Sequence, residues 1–124
     1  MRIGIDIMGG DYAPGSTIRG AILAREFLPA DTEIVFIGNQ DIINRYSEEY
    51  QLDVSGFSII DTLESVGMED HPLKAYKEKP RAGLFMGPRL LADASLDGFC
   101  SAGNTGAMMA QAGRKWSGRP VCGS

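Results

Sequence analysis

Two glycine-rich turns are the parts of this sequence best suited to chemistry. The first is residues 8–11 (MGGD), and the second is residues 101–106 (SAGNTG). Each turn follows an apolar, strand-like run and precedes a helix-like run, so each places free backbone N–H groups at the start of a helix. Glycine lets the backbone approach a ligand closely, and these N–H groups attract negative charge. The two turns therefore predict a phosphate site.

The second turn offers the larger set of hydrogen-bond donors. Besides its N–H groups it carries two hydroxyl groups, from Ser101 and Thr105, and the amide of Asn104. A tight turn with a helix cap explains one glycine and one threonine but not the whole string, which favours an anion site. The residues predicted to bind phosphate in the two turns are Gly9, Gly10, Asp11, Ser101, Gly103, Thr105 and Gly106.

The first turn is less specific than the second. It lacks both the Gly-Lys-Ser/Thr ending of a P-loop and the Gly-x-Gly-x-x-Gly dinucleotide fingerprint. Asp6 and Asp11 flank it, and a carboxylate beside a phosphate repels it unless the carboxylate binds a metal, accepts a proton or orients a cation. Asp11 could equally cap the helix entry ahead of Pro14, and Asp6 could equally be a buried carboxylate satisfied by turn amides.

A cationic segment supplies the positive charge that a phosphate attracts. It contains Lys74, Lys77, Lys79 and Arg81. Such a run usually forms a solvated face, which is the favoured interpretation of Lys77 and Lys79, whereas Lys74 is the best candidate to reach a ligand. His71 has no nearby nucleophile signature and is predicted to lie at the surface.

Composition and charge narrow the class of protein. The chain has 124 residues, 44% hydrophobic and 23% charged, as in one ordinary globular domain. A net charge of −4 argues against a broad nucleic-acid surface. Cys100 and Cys122 lack metal-ligand spacing and disulfide density, and Cys100 is predicted to lie in the core. No apolar run could span a bilayer and no signal peptide is evident, so we expect a cytoplasmic protein.

Strands and helices alternate along the chain. The hydrophobic pattern predicts strands over residues 2–8, 33–37, 57–60 and 99–101, and helices over residues 16–28, 41–50, 84–94 and 105–112. Asp41 is predicted to cap the second helix, and residues 61–88 to form a polar, proline-bearing connection. This order predicts an α/β fold with a parallel sheet covered on both faces. Both glycine turns would then lie at the carboxyl ends of strands, where such sheets bind ligands.

Three motifs together resemble the PlsX family of bacterial phosphate acyltransferases. They are residues 6–14 (DIMGGDYAP), 68–75 (MEDHPLKA) and 101–107 (SAGNTGA), within a resemblance that runs from residue 1 to about residue 110. The resemblance implies a three-layer α/β/α Rossmann-like sandwich, related to phosphotransacetylase and isopropylmalate dehydrogenase. Family chains are well over twice this length, so residues 1–124 are expected to be the N-terminal portion of one such domain, without a second domain.

The family resemblance also implies a reaction. Its members transfer an acyl group from acyl-acyl carrier protein to inorganic phosphate, which yields an acyl phosphate for phospholipid synthesis. Phosphate attacks the thioester directly, so no protein nucleophile, cofactor or metal is expected, and Lys74 and Asn104 become the predicted catalytic residues. The family is described as cytoplasmic, peripheral at the inner face of the membrane, and homodimeric when full length.

Two departures from the family pattern leave other functions open. Residues 81–83 (RAG) stand where family members usually carry two serines, so a hydroxyl contact is missing. Residues 111–120 are shorter and more polar than the expected apolar helix. The alternatives are a phosphate- or nucleotide-binding module without catalysis, and an inactive truncated fragment.

Overall fold

The computed structural model of the chain describes residues 1–67, 69–103 and 121–123. Strands and helices alternate through the first half of these ranges, and two helices then follow one another before the sheet resumes. In chain order the elements are β1 (Arg2–Asp6), α1 (Gly15–Arg25), β2 (Glu33–Gly38), α2 (Gln40–Glu49), β3 (Ser58–Asp61), α3 (Pro72–Glu78), α4 (Gly83–Ala92), β4 (Gly98–Ser101) and β5 (Val121–Gly123).

The strands form one parallel sheet in the order β3-β2-β1-β4-β5. The chain moves outward from β1 through β2 to β3, and then crosses to the other side of β1 to form β4. This reversal makes the β1/β4 boundary the topological switch point, where parallel α/β sheets open a crevice at the carboxyl ends of their strands. The predicted parallel sheet is confirmed.

The sheet carries a hydrophobic core on each face, because side chains alternate between the two faces along β2. One core joins β2 to α1 and α2 and comprises Ile7, Ile18, Ala21, Ile34, Phe36 and Ile43. The other core joins β2 to β4 and α4 and comprises Val35, Ile37, Leu91, Leu96 and Phe99. Helices therefore cover both faces of the sheet, and the predicted three-layer α/β/α class is confirmed.

Several element boundaries differ from the hydrophobic pattern, among them the ends of β1 and α1. β1 ends at Asp6 rather than at residue 8, because the Gly9 N–H donates to the Asp6 carbonyl oxygen at 3.2 Å and closes a turn. α1 ends at Arg25 rather than at residue 28, and Phe27 beyond it is 80% exposed. In both places apolar residues occur shortly beyond the end of the regular element.

The predicted cap of α2 was wrong by two residues. Asn39 is the N-cap residue, and its Oδ1 accepts from the backbone N–H groups of Asp41 at 3.0 Å and Ile42 at 3.3 Å. Asp41 instead lies in the first turn of the helix. Both side chains are favoured near a helix start, so the choice between them depends on where the chain leaves β2.

Residues 61–88 do not form one continuous irregular connection, which corrects the prediction. They contain α3 and the first part of α4, and Pro88 lies inside α4. α3 has seven residues, and its buried Ala75 packs with Val66 and Phe85. A helix this short shows too little periodicity to be recognised from hydrophobicity. The predicted helix over residues 105–112 lies outside the described residues.

Candidate functional site

The two glycine turns touch each other at the switch point. A Cβ built on Gly10 would lie 3.3 Å from the carbonyl oxygen of Ala102, and one built on Gly103 would lie 3.5 Å from the Cα of Gly9. Both turns follow paired strands, β1 and β4, at their carboxyl ends. Two turns that lie far apart in sequence thus form one loop cluster, as their positions after two parallel strands predict.

The first turn has a backbone conformation that only glycine adopts readily. Gly10 has φ +97°, which lies in the left-handed region. The turn is also tied to α1, because Thr17 Oγ1 lies 2.6 Å from the carbonyl oxygen of Ile7 and 2.8 Å from that of Pro14. The positive φ of Gly10 and the hydrogen bonds of the Thr17 hydroxyl therefore stabilise the conformation of this loop.

Asp11 is exposed and does not cap α1. The N-cap residue is Pro14, and no side chain forms a capping hydrogen bond there. The helix-cap interpretation of Asp11 was therefore wrong, and its predicted contact with phosphate stays a prediction.

Asp6 lies buried between the two turns. Its side chain is 4% exposed, and the Ser101 hydroxyl donates to its Oδ2 at 2.8 Å. Ser101 Oγ in turn accepts from the Gly103 N–H at 3.0 Å. A chain of hydrogen bonds thus leads from the end of β1 into the second turn.

Burial sets the protonation behaviour of Asp6. It raises the pKa of the carboxyl from 3.8 to about 6, while hydrogen bonds from the Ser101 hydroxyl and the Met8 backbone N–H act in the opposite direction. Of the two interpretations that the sequence left open, the structure selects the buried carboxylate satisfied by its neighbours.

Gly83 is a residue of this site that sequence reasoning missed. It is the first residue of α4, and a Cβ on it would lie 2.7 Å from Asp6 Oδ1 and 3.2 Å from the Ile37 carbonyl oxygen. Only glycine lets the start of α4 approach the carboxylate this closely. The available signal was the glycine that opens a strongly apolar run at residues 83–88.

Ser101 and Gly103 lie where the two turns meet, and their observed hydrogen bonds join protein groups. The hydrogen of the Ser101 hydroxyl is donated to Asp6, and that of the Gly103 N–H is donated to Ser101. In this conformation both residues shape the second turn, and their direct contact with phosphate stays a prediction. Asn104, Thr105 and Gly106, the other predicted residues of this turn, lie outside the described residues.

Lys74, the predicted catalytic lysine, lies on α3. Its side chain is 71% exposed, and its Nζ lies 4.0 Å from Glu78 Oε1. It lines a pocket of about 300 Å³ whose walls are Glu69, Asp70, His71, Lys74, Ala75, Glu78 and Lys79. None of the described residues of either turn lines that pocket, so the predicted role of Lys74 at the phosphate stays a prediction. His71 is exposed, as expected.

Neither a metal site nor a membrane span is evident in the described ranges. There, no group of three or more His, Cys, Asp and Glu side chains is placed to hold a metal ion. The helices of the same ranges are all too short or too polar to cross a bilayer.

Comparison with known proteins identifies the family of this chain. A family model described as "Fatty acid synthesis protein" matches residues 1–118. Curated relatives named "Phosphate acyltransferase" are 37% identical over 112 residues in Dictyoglomus thermophilum, 40% over 111 in Caldicellulosiruptor bescii and 34% over 110 in Pediococcus pentosaceus. These alignments cover 90%, 89% and 89% of this chain, but 33%, 33% and 30% of the relatives, so the chain spans about a third of their length. The chain belongs to the fatty acid synthesis protein family.

Proposed function

We propose that this chain carries the anion-binding part of a phosphate acyltransferase, which transfers an acyl group from acyl-acyl carrier protein to inorganic phosphate. The observation that carries the proposal is the meeting of the two glycine turns at the β1/β4 switch point. The relatives named phosphate acyltransferase support the reaction class. Residues 1–124 would form the N-terminal portion of a single domain, in keeping with the third of each relative that they span.

In the proposed reaction a phosphate oxygen attacks the thioester carbonyl carbon. The new C–O bond forms as the C–S bond breaks, and the proton of hydrogen phosphate passes to the departing thiolate of the carrier. The protein supplies no nucleophile. It positions phosphate against the thioester and offers donors to the oxyanion that develops on the carbonyl oxygen.

The proposed roles of individual residues follow from this chemistry. The N–H groups of the two turns that make no hydrogen bond within the loops bind phosphate, together with Thr105 and Gly106. Asn104 donates to the developing oxyanion, and Lys74 neutralises negative charge when the carrier-bound substrate is in place. Asp11 contributes its backbone N–H from the exposed side of the first turn, since its carboxylate would repel the phosphate.

The proposal includes partners and a location. Acyl-acyl carrier protein and inorganic phosphate are the substrates, and the product supplies phospholipid synthesis. We place the enzyme in the cytoplasm, as a homodimer of full-length chains that associates peripherally with the inner face of the membrane. These points rest on the resemblance of the three motifs to the PlsX family.

Variants of the two proposed catalytic residues test the function. In the full-length protein, Asn104→Ala and Lys74→Ala should each lower kcat/KM for acyl phosphate formation, by roughly 100-fold for the oxyanion donor. Acyl phosphate made from acyl-acyl carrier protein and inorganic phosphate can be trapped with hydroxylamine and quantified as the hydroxamate. Lys77→Ala, an exposed lysine on the same helix, is the matched control and should retain full activity.

Unchanged rates in both variants would contradict the assigned roles. A wild-type protein that forms no acyl phosphate but is thermally stabilised by inorganic phosphate would instead be a binding module.

A further inference from the structure

Three segments of the chain, two of them distant from Asp6 in sequence, converge on the Asp6 carboxylate. Its Oδ2 accepts the Ser101 hydroxyl at 2.8 Å, across 95 positions of sequence. The first turn packs against the same oxygen, since a Cβ on Gly9 would lie 2.6 Å from it. The start of α4 packs against the other oxygen, since a Cβ on Gly83 would lie 2.7 Å from Oδ1. The carboxylate is therefore enclosed by both glycine turns and by a helix start.

A carboxylate suits this place better than a neutral amide. Both of its oxygens are hydrogen-bond acceptors, whereas an amide presents one acceptor and one donor group. Oδ2 serves the Ser101 hydroxyl, while Oδ1 faces the start of α4, the end of a helix that carries partial positive charge. An Asn side chain could keep the bond to Ser101 only by turning its NH₂ group toward that positive end.

The hydrogen bonds couple the position of the Asp6 side chain to the backbone of the second turn. Because the Ser101 hydroxyl hydrogen is directed at Asp6, its oxygen lone pairs are left to accept the Gly103 N–H at 3.0 Å. Ser101 is itself 6% exposed, so water does not compete readily for these bonds. The backbone direction at Gly103 thus depends on a carboxylate at the end of another strand.

We infer that Asp6 is a positioning residue of the anion site, which holds the two glycine turns and the start of α4 in the arrangement that binds phosphate. Asp6 acts through Ser101 and through its packing against Gly9 and Gly83, without touching the phosphate itself. The inference rests on the proposed function, because the anion in question is the phosphate that the reaction consumes.

Two substitutions and their combination test this role in the full-length protein. Asp6→Asn and Ser101→Ala should each raise the KM for inorganic phosphate by roughly 10- to 100-fold, as expected when a binding geometry is displaced. The KM for acyl-acyl carrier protein should stay unchanged. Because Asp6 acts through Ser101, the double variant should be much less impaired than the product of the two single effects.

A buried serine elsewhere provides the control for folding. Ser47 on α2 is 5% exposed and donates to the Ile43 carbonyl oxygen at 2.7 Å. Ser47→Ala removes a comparable hydroxyl and should leave the phosphate KM unchanged. A defect in folding alone would lower the active fraction, and hence kcat, without raising the KM for phosphate. If Asp6→Asn does not fold, an unchanged phosphate KM in Ser101→Ala still overturns the role, because Asp6 acts on the second turn through Ser101.

The outcomes separate this inference from the proposed function. Turnover in the wild type with an unchanged phosphate KM in Asp6→Asn and Ser101→Ala would overturn the positioning role. If the wild type forms no acyl phosphate, the proposed function fails, and the thermal shift produced by inorganic phosphate becomes the readout. Loss of that shift in both variants, but not in Ser47→Ala, would still support the role of Asp6, and an equal shift in all proteins would overturn it.

Discussion

Asp6 places an acidic group where the folded protein disfavours its charge. The residue is 4% exposed, and desolvation raises its pKa to about 6 even though Ser101 and Met8 donate hydrogen bonds to it. A buried ionised group lowers the stability of the native state unless its partners compensate fully. At neutral pH the protein therefore keeps a mostly ionised carboxylate at this position at the expense of some stability, as functional sites commonly do.

The raised pKa of Asp6 predicts a specific pH dependence of stability. The folded state binds the proton more tightly than the unfolded state, so the contribution of Asp6 is most favourable below pH 3.8 and declines as pH rises to about 6. The contribution of Asp6 to the free energy of unfolding should thereby fall by about 3 kcal/mol, at roughly 1.4 kcal/mol per pKa unit. Urea unfolding of the wild type and Asp6→Asn between pH 4 and 7 measures it.

The difference between the two proteins isolates this effect. Glu33, Asp53, Asp70 and Asp93 have lowered pKa values, so their contributions to stability weaken as pH falls in both proteins alike. The free energy of unfolding of the wild type minus that of Asp6→Asn should fall with rising pH. A difference that stays constant over this range would show that Asp6 is not buried in the way described.

At the scale of elements, α4 packs closely on β4 because a glycine faces the sheet. A Cβ on Gly87 would overlap the ring of Phe99, which is 1% exposed in the core between β4 and α4. The close approach also brings the start of the same helix to Asp6, through Gly83. The packing of one helix thus determines both a core and one wall of the site.

Two glycine-to-alanine substitutions in helices should have opposite effects. Gly87→Ala should lower the free energy of unfolding by about 1–3 kcal/mol, because the added methyl must displace Phe99. Gly20→Ala, in α1, should raise it by up to about 1 kcal/mol, because a Cβ there meets no atom within 4 Å and alanine favours the helix. Chemical denaturation of both variants measures the pair. Equal effects would contradict the packing of α4 described above.

On the scale of the whole molecule, the centre of the sheet is its most protected part. β1 pairs with β2 and β4, while β2 pairs with β1 and β3 and has side chains buried in both cores. β3 pairs with β2 alone within the described ranges, and its side chains are half-buried or exposed. The free energy of local opening is therefore lowest at β3 among these strands.

Amide hydrogen exchange should follow this order. The N–H groups of β1 and β2 that bond to neighbouring strands should exchange at least about 10-fold more slowly than those of β3 under native conditions. Exchange followed by NMR or by mass spectrometry of peptides measures the rates, corrected for intrinsic exchange of each sequence. Slower exchange in β3 than in β2 would contradict the strand order.

Local patterns sufficed to predict the fold class and the placement of the two glycine turns at the carboxyl ends of strands. Apolar runs of β-branched residues predicted the strands, and the glycine turns after residues 7 and 100 marked the carboxyl ends of β1 and β4. These features depend on neighbouring residues and on the backbone, so a single sequence contains them. Choices between nearby alternatives, such as Asn39 over Asp41 as the cap of α2, depend on the path of the chain through space.

Only the tertiary structure decided which groups surround Asp6. Its bond to Ser101 spans 95 positions, and its contact with Gly83 requires α4 to pack on the sheet. Burial, a raised pKa and close approach are properties of groups brought together from distant segments, and no local pattern records them. By itself the sequence predicted an anion site at the glycine turns; the packed sheet decided that one buried carboxylate lies between those turns.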